Sequence, residues 1–317
     1  LLLSLRGGRA KMSLLALFKG KGPTGFGYGS TAEDVTRGVD LTGRTILLTG
    51  CNSGIGKETL RVLTKRGAHV IAAARTIDKA KSACDDVVGE TTPVACELSE
   101  PASVQACVES VKALGRPLDA IVCNAGIMAL PNLNLKHGYE LQFFTNHIGH
   151  FILVTSLLDQ LSDDGRVVMV SSDAHKGAPR QGIQFDNLDG HRGYSPWANY
   201  GQSKLANLLF ARELARRLEG TNKTANSVHP GVIATNLARS MNPVVRTALG
   251  IGGPLVLKSL GEGAATQCYL AVHPDAASVR GKYFADCNEA RPTSKGRDDA
   301  LAAQLWDVSE QIVAEVT

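Results

Sequence analysis

Tyr200 and Lys204 stand four residues apart in a stretch rich in Ala and Leu, so on a helix they share one face, one turn apart. A phenol titrates near ~10, and an ammonium beside it stabilises the phenolate, which makes tyrosine a usable acid or base nearer neutrality. Such a pair is commonplace alone; its company makes it informative. Upstream, Thr49-Gly50-Cys51-Asn52-Ser53-Gly54-Ile55-Gly56 closes a β-branched run and opens an amphipathic one. Strand, glycine-rich turn and helix N-terminus together give a tight turn, room for backbone to approach a pyrophosphate, and unpaired N–H groups at the positive end of a helix dipole. We read Gly50, Asn52, Ser53, Gly54, Ile55 and Gly56 as a dinucleotide cradle. The triphosphate loop G-x-x-x-x-G-K-[ST] fails, because Cys51 takes its first position and Glu58 follows Lys57.

Asn124-Ala125-Gly126 ends the fourth β-branched run and Ser171-Ser172 the fifth. Ligands bind open α/β sheets at such strand ends. The second run ends Ala72-Ala73-Ala74-Arg75, where a dinucleotide fold meets the adenosine ribose. A carboxylate there accepts from free hydroxyls, whereas an arginine accommodates a 2′-phosphate. Arg75, with no acid beside it, favours NADP(H) and leaves NAD(H) as the lesser option.

These residues need a scaffold that gathers strand ends. From Arg44 to Ser172 short runs alternate with longer amphipathic stretches, the rhythm of a parallel sheet. Strands are predicted at Thr45 to Thr49, His69 to Ala74, Thr92 to Glu97, Leu118 to Cys123 and Arg166 to Ser171. Helices are predicted at Ile55 to Arg66, Ile77 to Val88, Pro101 to Leu114 and Tyr139 to Leu161. Beyond a polar, turn-rich stretch come a helix from Pro196 to Leu218, a strand at Thr224 to His229 and a last strand at Lys282 to Ala285. Leu301, Leu305, Val308 and Ile312 then lie at helical spacing in the tail from Asp298 to Val316. The expected class is α/β: a single Rossmann-type, doubly wound parallel sheet flanked by helices, with right-handed crossovers. No repeat or Pro/Ser-rich linker divides 41–317, which reads as one domain after a partly ordered arm or leader at 1–40.

Of the 317 residues 44% are hydrophobic and 20% charged, with a net charge of +4, which excludes a disordered polyampholyte and a strongly basic nucleic-acid binder. Seven cysteines form no C-x-x-C pair, which argues against a disulfide framework and a zinc site and for a reduced, cytoplasmic home. His147, His150, His175, His191 and His229 show no H-E-x-x-H pair, so no metal is expected, and no G-x-S-x-G elbow occurs. The most apolar window, Ile148 to Leu161, carries His150 and Asp159 and falls short of the ~20 apolar residues of a membrane span. Arg6, Arg9, Lys11, Lys19 and Lys21 precede the first acid, Glu33, so organelle import through this leader stays open.

The ordered set T-G-x-x-x-G-I-G at 49–56, N-A-G at 124–126, Asn146 in Phe144-Thr145-Asn146-His147, Ser172, Tyr200-x-x-x-Lys204 and Pro230-Gly231 resembles the short-chain dehydrogenase/reductase family over about residues 43–290. Ser171-Ser172-Asp173-Ala174-His175, Ser203-Lys204-Leu205-Ala206-Asn207, His229-Pro230-Gly231 and Glu262-Gly263-Ala264-Ala265-Thr266 are similar to its retinol dehydrogenase and WW-domain-containing oxidoreductase branch, although no WW domain is visible. The resemblance implies Tyr200 as proton donor or acceptor at the substrate oxygen and Ser172 as the hydroxyl that holds that oxygen. Lys204 would bind the nicotinamide ribose and tune Tyr200, and Asn146 would hold a water linking Lys204 to solvent. Asn124, Ala125 and Gly126 would line the adenosine side, and Pro230, Gly231, Ile233 and Thr235 the nicotinamide side. Glu97-Leu98 stands where the family usually has Asp-Leu near the adenine. The 28 residues from Ser172 to Tyr200 exceed the gap of compact members and leave Ser171 open as the catalytic serine.

The segment from Thr235 to Glu262 follows the sixth strand and should close over the nicotinamide pocket as part of a lid at about 236–272. Val244, Val245, Leu249, Ile251, Leu255, Val256, Leu257 and Leu260 alternate there with Gly250, Gly252, Gly253 and Pro254, a composition suited to a movable, apolar cover. Such a cover favours a hydrophobic alcohol, aldehyde or ketone, retinoid- or lipid-like by the resemblance. Arg246 and Lys258 leave shallow peripheral membrane contact as a further reading. Leu205, Leu208, Leu209 and Leu218 fit the core or a homodimer face. The alternative function is a dinucleotide-binding scaffold or sensor with little turnover.

Overall fold

The computed structural model describes residues 19–233 and 257–317. Eight strands form one sheet: β1 (Thr45–Thr49), β2 (His69–Ala74), β3 (Thr91–Ala95), β4 (Leu118–Cys123), β5 (Leu161–Val170), β6 (Thr224–His229), β7 (Tyr283–Ala285) and β8 (Asn288–Glu289). Their spatial order is β8-β7-β6-β5-β4-β1-β2-β3. Every neighbouring pair is parallel except β7 with β8. The order reverses between β1 and β4, which opens a crevice at their C-terminal ends.

Among the described residues the α-helices are α1 (Ala32–Val35), α2 (Gly54–Lys65), α3 (Ile77–Asp85), α4 (Pro101–Lys112), α5, α6 (Pro196–Arg217), α7 (Leu260–Val272) and α8 (Asp299–Val316). Here α5 joins Leu141–Phe143 and Gly149–Thr155 through a π turn at Phe144–Ile148. All of β1 and β2 is buried because helices cover both sheet faces. Alternation along β1 splits its side chains: Leu47 joins the core under α4, α5, α6 and α8, whereas Ile46 and Leu48 join the core under α1, α2 and α7. Leu205, Leu208, Leu209 and Leu218 all pack into the protein's own core.

Three departures from the sequence expectation have a clear local cause. The helix expected from Tyr139 begins later, because Tyr139–Glu140 pairs with Leu135–Lys136 around His137 and Gly138, both at positive φ, as a two-residue hairpin turn requires. Glu140 then caps α5, accepting from the N–H groups of Gln142 and Phe143 at 3.0 and 2.9 Å. Strand β5 starts at Leu161 rather than Arg166, with an irregularity opposite Leu118 and Ala120 that absorbs Asp163-Asp164-Gly165. The third departure corrects the lid. Residues 260–272 are the buried helix α7, started by a capping box between Ser259 and Glu262, while 236–256 lie outside the described residues.

The arm is joined to the domain from Thr24 onward. Asn288 binds Thr24 and Phe26, the Phe26 ring meets Tyr269 and His273, and Glu33 takes ion pairs from Arg61, Lys65 and Arg66. Lys258 corrects a second reading: it is 1% exposed and paired with Asp286, so its charge cannot meet a membrane surface. Among the described residues no helix is long and apolar enough to cross a membrane.

Candidate active site

The crevice is a cleft of about 790 Å³ that runs from Arg75 at one end to Tyr200 and Val232 at the other. Its floor is the glycine turn. Gly50 has φ of +72°, and a methyl group there would sit 2.9 Å from the Cα of Ala125. A methyl group on Gly56 would collide with the Gly50 carbonyl oxygen. The two glycines therefore let the turn fold flat against the strand ends, and Gly54, at φ of +56°, opens α2 behind it. Such a cradle fits a pyrophosphate, which needs bare backbone at a helix N-terminus.

Asn124 and Ala125 are tied to this turn. Both backbone N–H groups donate to Thr49 Oγ1 at 3.0 Å, and Asn124 Nδ2 donates to the Thr49 carbonyl at 2.9 Å. Thr49 Oγ1 also meets His150 Nε2 at 3.0 Å, while His150 Nδ1 lies 2.9 Å from the Asn146 carbonyl. A carbonyl only accepts, so Nδ1 carries the proton and Nε2 accepts from the threonine hydroxyl. Burial holds this imidazole neutral, at about 4. A continuous polar chain thus links the cradle to Asn146.

At the far end, α6 places Tyr200 and Lys204 one turn apart, with the Lys204 Nζ 5.8 Å from the Tyr200 ring centroid. Lys204 is 3% exposed and donates to the Val170 carbonyl at 3.0 Å; burial pulls it down to about 8, so it remains an ammonium at neutral pH. Tyr200 departs from the expected tuning. Burial pushes its phenol up to about 12, with a hydrogen bond from Ser172 working in the opposite direction. The two serines separate clearly. Both line the cleft, but Ser171 is buried and its hydroxyl donates to the Lys204 carbonyl at 2.7 Å, whereas half-buried Ser172 reaches the phenol. The Asn146 side chain is fully engaged: Oδ1 accepts from the Ile127 N–H at 2.8 Å, and Nδ2 donates to the Ile127 carbonyl and to Ser203 Oγ, both at 2.9 Å.

Of the residues singled out from sequence, Gly50, Asn52, Ser53, Ile55, Gly56, Arg75, Glu97, Leu98, Asn124, Ala125, Gly126, Ser171, Ser172, Tyr200, Lys204, Pro230, Gly231 and Ile233 line this one cleft. Gly54 and Asn146 stand behind its wall, and Thr235 lies outside the described residues. Arg75 is largely exposed, and its Nε pairs with Glu97 Oε2 at 3.2 Å. Sequence reasoning passed over Lys79, Thr145, Trp197, His229 and Val232, which also line the cleft. Lys79 had a signal, since it is a second cation four residues after Arg75, in the first turn of α3. Trp197 had another, three residues before Tyr200 on the same helix.

Residues 44–245 match the family model for short chain dehydrogenases. The chain is 43% identical over 320 residues to the short-chain dehydrogenase TIC 32 A, chloroplastic, of Brassica napus, covering 95% of this chain and 99% of that protein. It is 38% identical over 311 residues to retinol dehydrogenase 14 of Homo sapiens, covering 90% and 91%. Among solved structures, an uncharacterised protein from Mycobacterium paratuberculosis aligns with a TM-score of 0.73 at 34% identity, covering 90% of this chain and 97% of that one. Sequence, sheet order and cleft thus agree that the chain belongs to the short-chain dehydrogenase/reductase family, in its retinol dehydrogenase-like branch, and is an oxidoreductase with a nucleotide cofactor.

Proposed function

We propose that the protein is an NADP(H)-dependent oxidoreductase acting on hydrophobic alcohols and their aldehydes or ketones, with Tyr200 as the acid and base. The observation that carries this reading is one cleft with a flat glycine cradle at its middle, Arg75 and Lys79 at one end, and Ser172, Tyr200 and Lys204 at the other. Arg75 and Lys79 supply the cations a 2′-phosphate needs.

A bound nicotinamide supplies the hydride, which in reduction goes to the carbonyl carbon. Tyr200 gives its phenolic proton to the carbonyl oxygen as the alcohol forms. Ser172 donates a hydrogen bond to that same oxygen and fixes its distance from the phenol. Lys204, an ammonium at neutral pH, stabilises the phenolate left behind until it regains a proton. Oxidation runs the same steps backwards. With its phenol raised to about 12 before ligands bind, Tyr200 is protonated at neutral pH and so carries the proton that carbonyl reduction consumes, while the Lys204 ammonium offsets the cost of releasing it.

Trp197 and Val232, each 49% exposed, flank the Tyr200 end of the cleft and support an apolar substrate. The retinol dehydrogenases among the relatives support it too. The test is NADPH consumption with a panel of aldehydes and ketones. Wild-type protein should turn over and Tyr200→Phe should not; full activity in that variant would remove the assigned mechanism.

A further inference from the structure

Lys258 is 1% exposed, in a position lysine seldom takes without a partner. Its Nζ meets Asp286 Oδ1 at 2.6 Å and lies 4.7 Å from the Tyr28 ring centroid. Asp286 and Cys287 are the central residues of the β7–β8 hairpin, both at positive φ, so a tight two-residue turn aims the carboxylate. The next residue, Asn288, binds Thr24 and Phe26, which delivers Tyr28 to the same place.

On its other side Lys258 holds the loop after β6. Its backbone N–H donates to the Val232 carbonyl at 2.9 Å, and Ile233 and Lys258 form a β-bridge. Its side-chain stem runs against Gly231, where a methyl group would come 2.5 Å from Cδ and 3.0 Å from Cε. Gly231 and Val232 line the cleft, whereas Lys258 presses on them from the core side. An ammonium fixed on two sides thus sets the position of a loop that forms the cleft wall.

We propose that Lys258 is a positioning residue for the Pro230–Val232 loop at the nicotinamide end, locked by Asp286 and Tyr28, so that the N-terminal segment takes part in holding the cofactor. This rests on the proposed reading of that end as the nicotinamide side. Lys258→Met keeps the stem against Gly231 and removes the anchor, which frees the loop without filling the cleft.

Calorimetric titration with NADPH and with adenosine 2′,5′-bisphosphate, which carries only the adenosine half, tests the proposal. Lys258→Met and Asp286→Asn should each weaken NADPH by about tenfold while the bisphosphate stays within about twofold, because a small displacement of a contact wall costs affinity only for the group that touches it. Tyr28→Leu should shift NADPH in the same direction. Unchanged NADPH affinity in the Lys258 and Asp286 variants, or equal losses for both ligands, overturns the proposal. If Lys258→Met does not fold, Asp286→Asn decides, since its side chain is 32% exposed and leaves the core intact. Wild-type protein that binds neither ligand would instead overturn the dinucleotide reading itself.

Discussion

Asn146 Nδ2 donates to Ser203 Oγ at 2.9 Å, and Ser203 in turn donates to the Tyr200 carbonyl at 2.8 Å. One buried amide therefore joins the loop after β4, the π turn of α5 and the helix that carries Tyr200 and Lys204. Asn146 lies within the π turn Phe144–Ile148, a local irregularity of the kind that recurs at functional sites. Asn146→Ala leaves the Ile127 N–H and the Ser203 hydroxyl without this partner. We expect kcat to fall by about a hundredfold with KM changed far less, since the residue sets alignment rather than binding. Steady-state kinetics on purified variant and wild type decide; a loss confined to KM would contradict an alignment role.

Arg75 pairs through Nε with Glu97 and lines the cleft at the end proposed for the adenosine. Arg75→Asp should weaken NADPH by about ten- to a hundredfold, the worth of one or two charge-assisted hydrogen bonds, and leave NADH binding equal or tighter. Titrating both cofactors against both proteins measures the ratio. Equal losses for the two would show that Arg75 serves only to hold Glu97.

The glycine cradle and the strand ends were legible in the sequence because each rests on a constraint local to a few residues. Gly50 and Gly56 have no room for a side chain, and Tyr200 and Lys204 need only a helical turn between them. What escaped depends on contacts between distant segments. Lys258 looked like a surface cation until Asp286 and Tyr28, from opposite ends of the chain, closed around it. The expected lowering of the Tyr200 phenol by Lys204 neglected burial, which outweighs the other influences on both groups. The hairpin before α5 was missed because apolar periodicity in Tyr139 to Leu161 masked the turn at His137-Gly138.

Buried histidines make stability depend on pH. His147 and His150 are pushed down to about 3 and about 4, chiefly by burial. The unfolded chain takes up a proton at each below ~6.5, whereas the folded chain cannot do so until much lower pH, so folding stability must fall as pH drops from ~6.5 towards ~4. Each histidine contributes up to ~1.4 kcal/mol per pH unit in that window. His147 gives a clean test. Ser309 Oγ donates to the Leu305 carbonyl at 2.7 Å, so His147 Nε2 donates to Ser309 at 2.8 Å and its Nδ1 has no partner. The rings of Phe143, Phe151 and Phe210 surround it. His147→Phe should fold, and denaturant titrations at pH 7, 6, 5 and 4.5 should show a shallower loss of stability than wild type. Parallel curves would mean that this histidine is not a source of the acid sensitivity.

Trp197 stands in the first turn of α6, its ring 6.2 Å from that of Tyr200 and nearly perpendicular to it. Half of its surface is open, as is that of Val232, and Ile127 and Met128 add apolar lining at the same end of the cleft. Apolar surface left open beside the proposed acid, Tyr200, is available to an apolar substrate, and each methylene covered is worth about 0.8 kcal/mol, or about fourfold in kcat/KM. For straight-chain aldehydes kcat/KM should therefore rise with chain length until the tail passes these side chains, then level off. Trp197→Ala should flatten that rise while leaving the shortest aldehyde within about twofold of wild type, since the proposed proton donor Tyr200 and its partner Ser172 are untouched. A wild-type series without a rise would argue for a polar substrate, and a variant that keeps the full rise would place the tail against some wall other than Trp197.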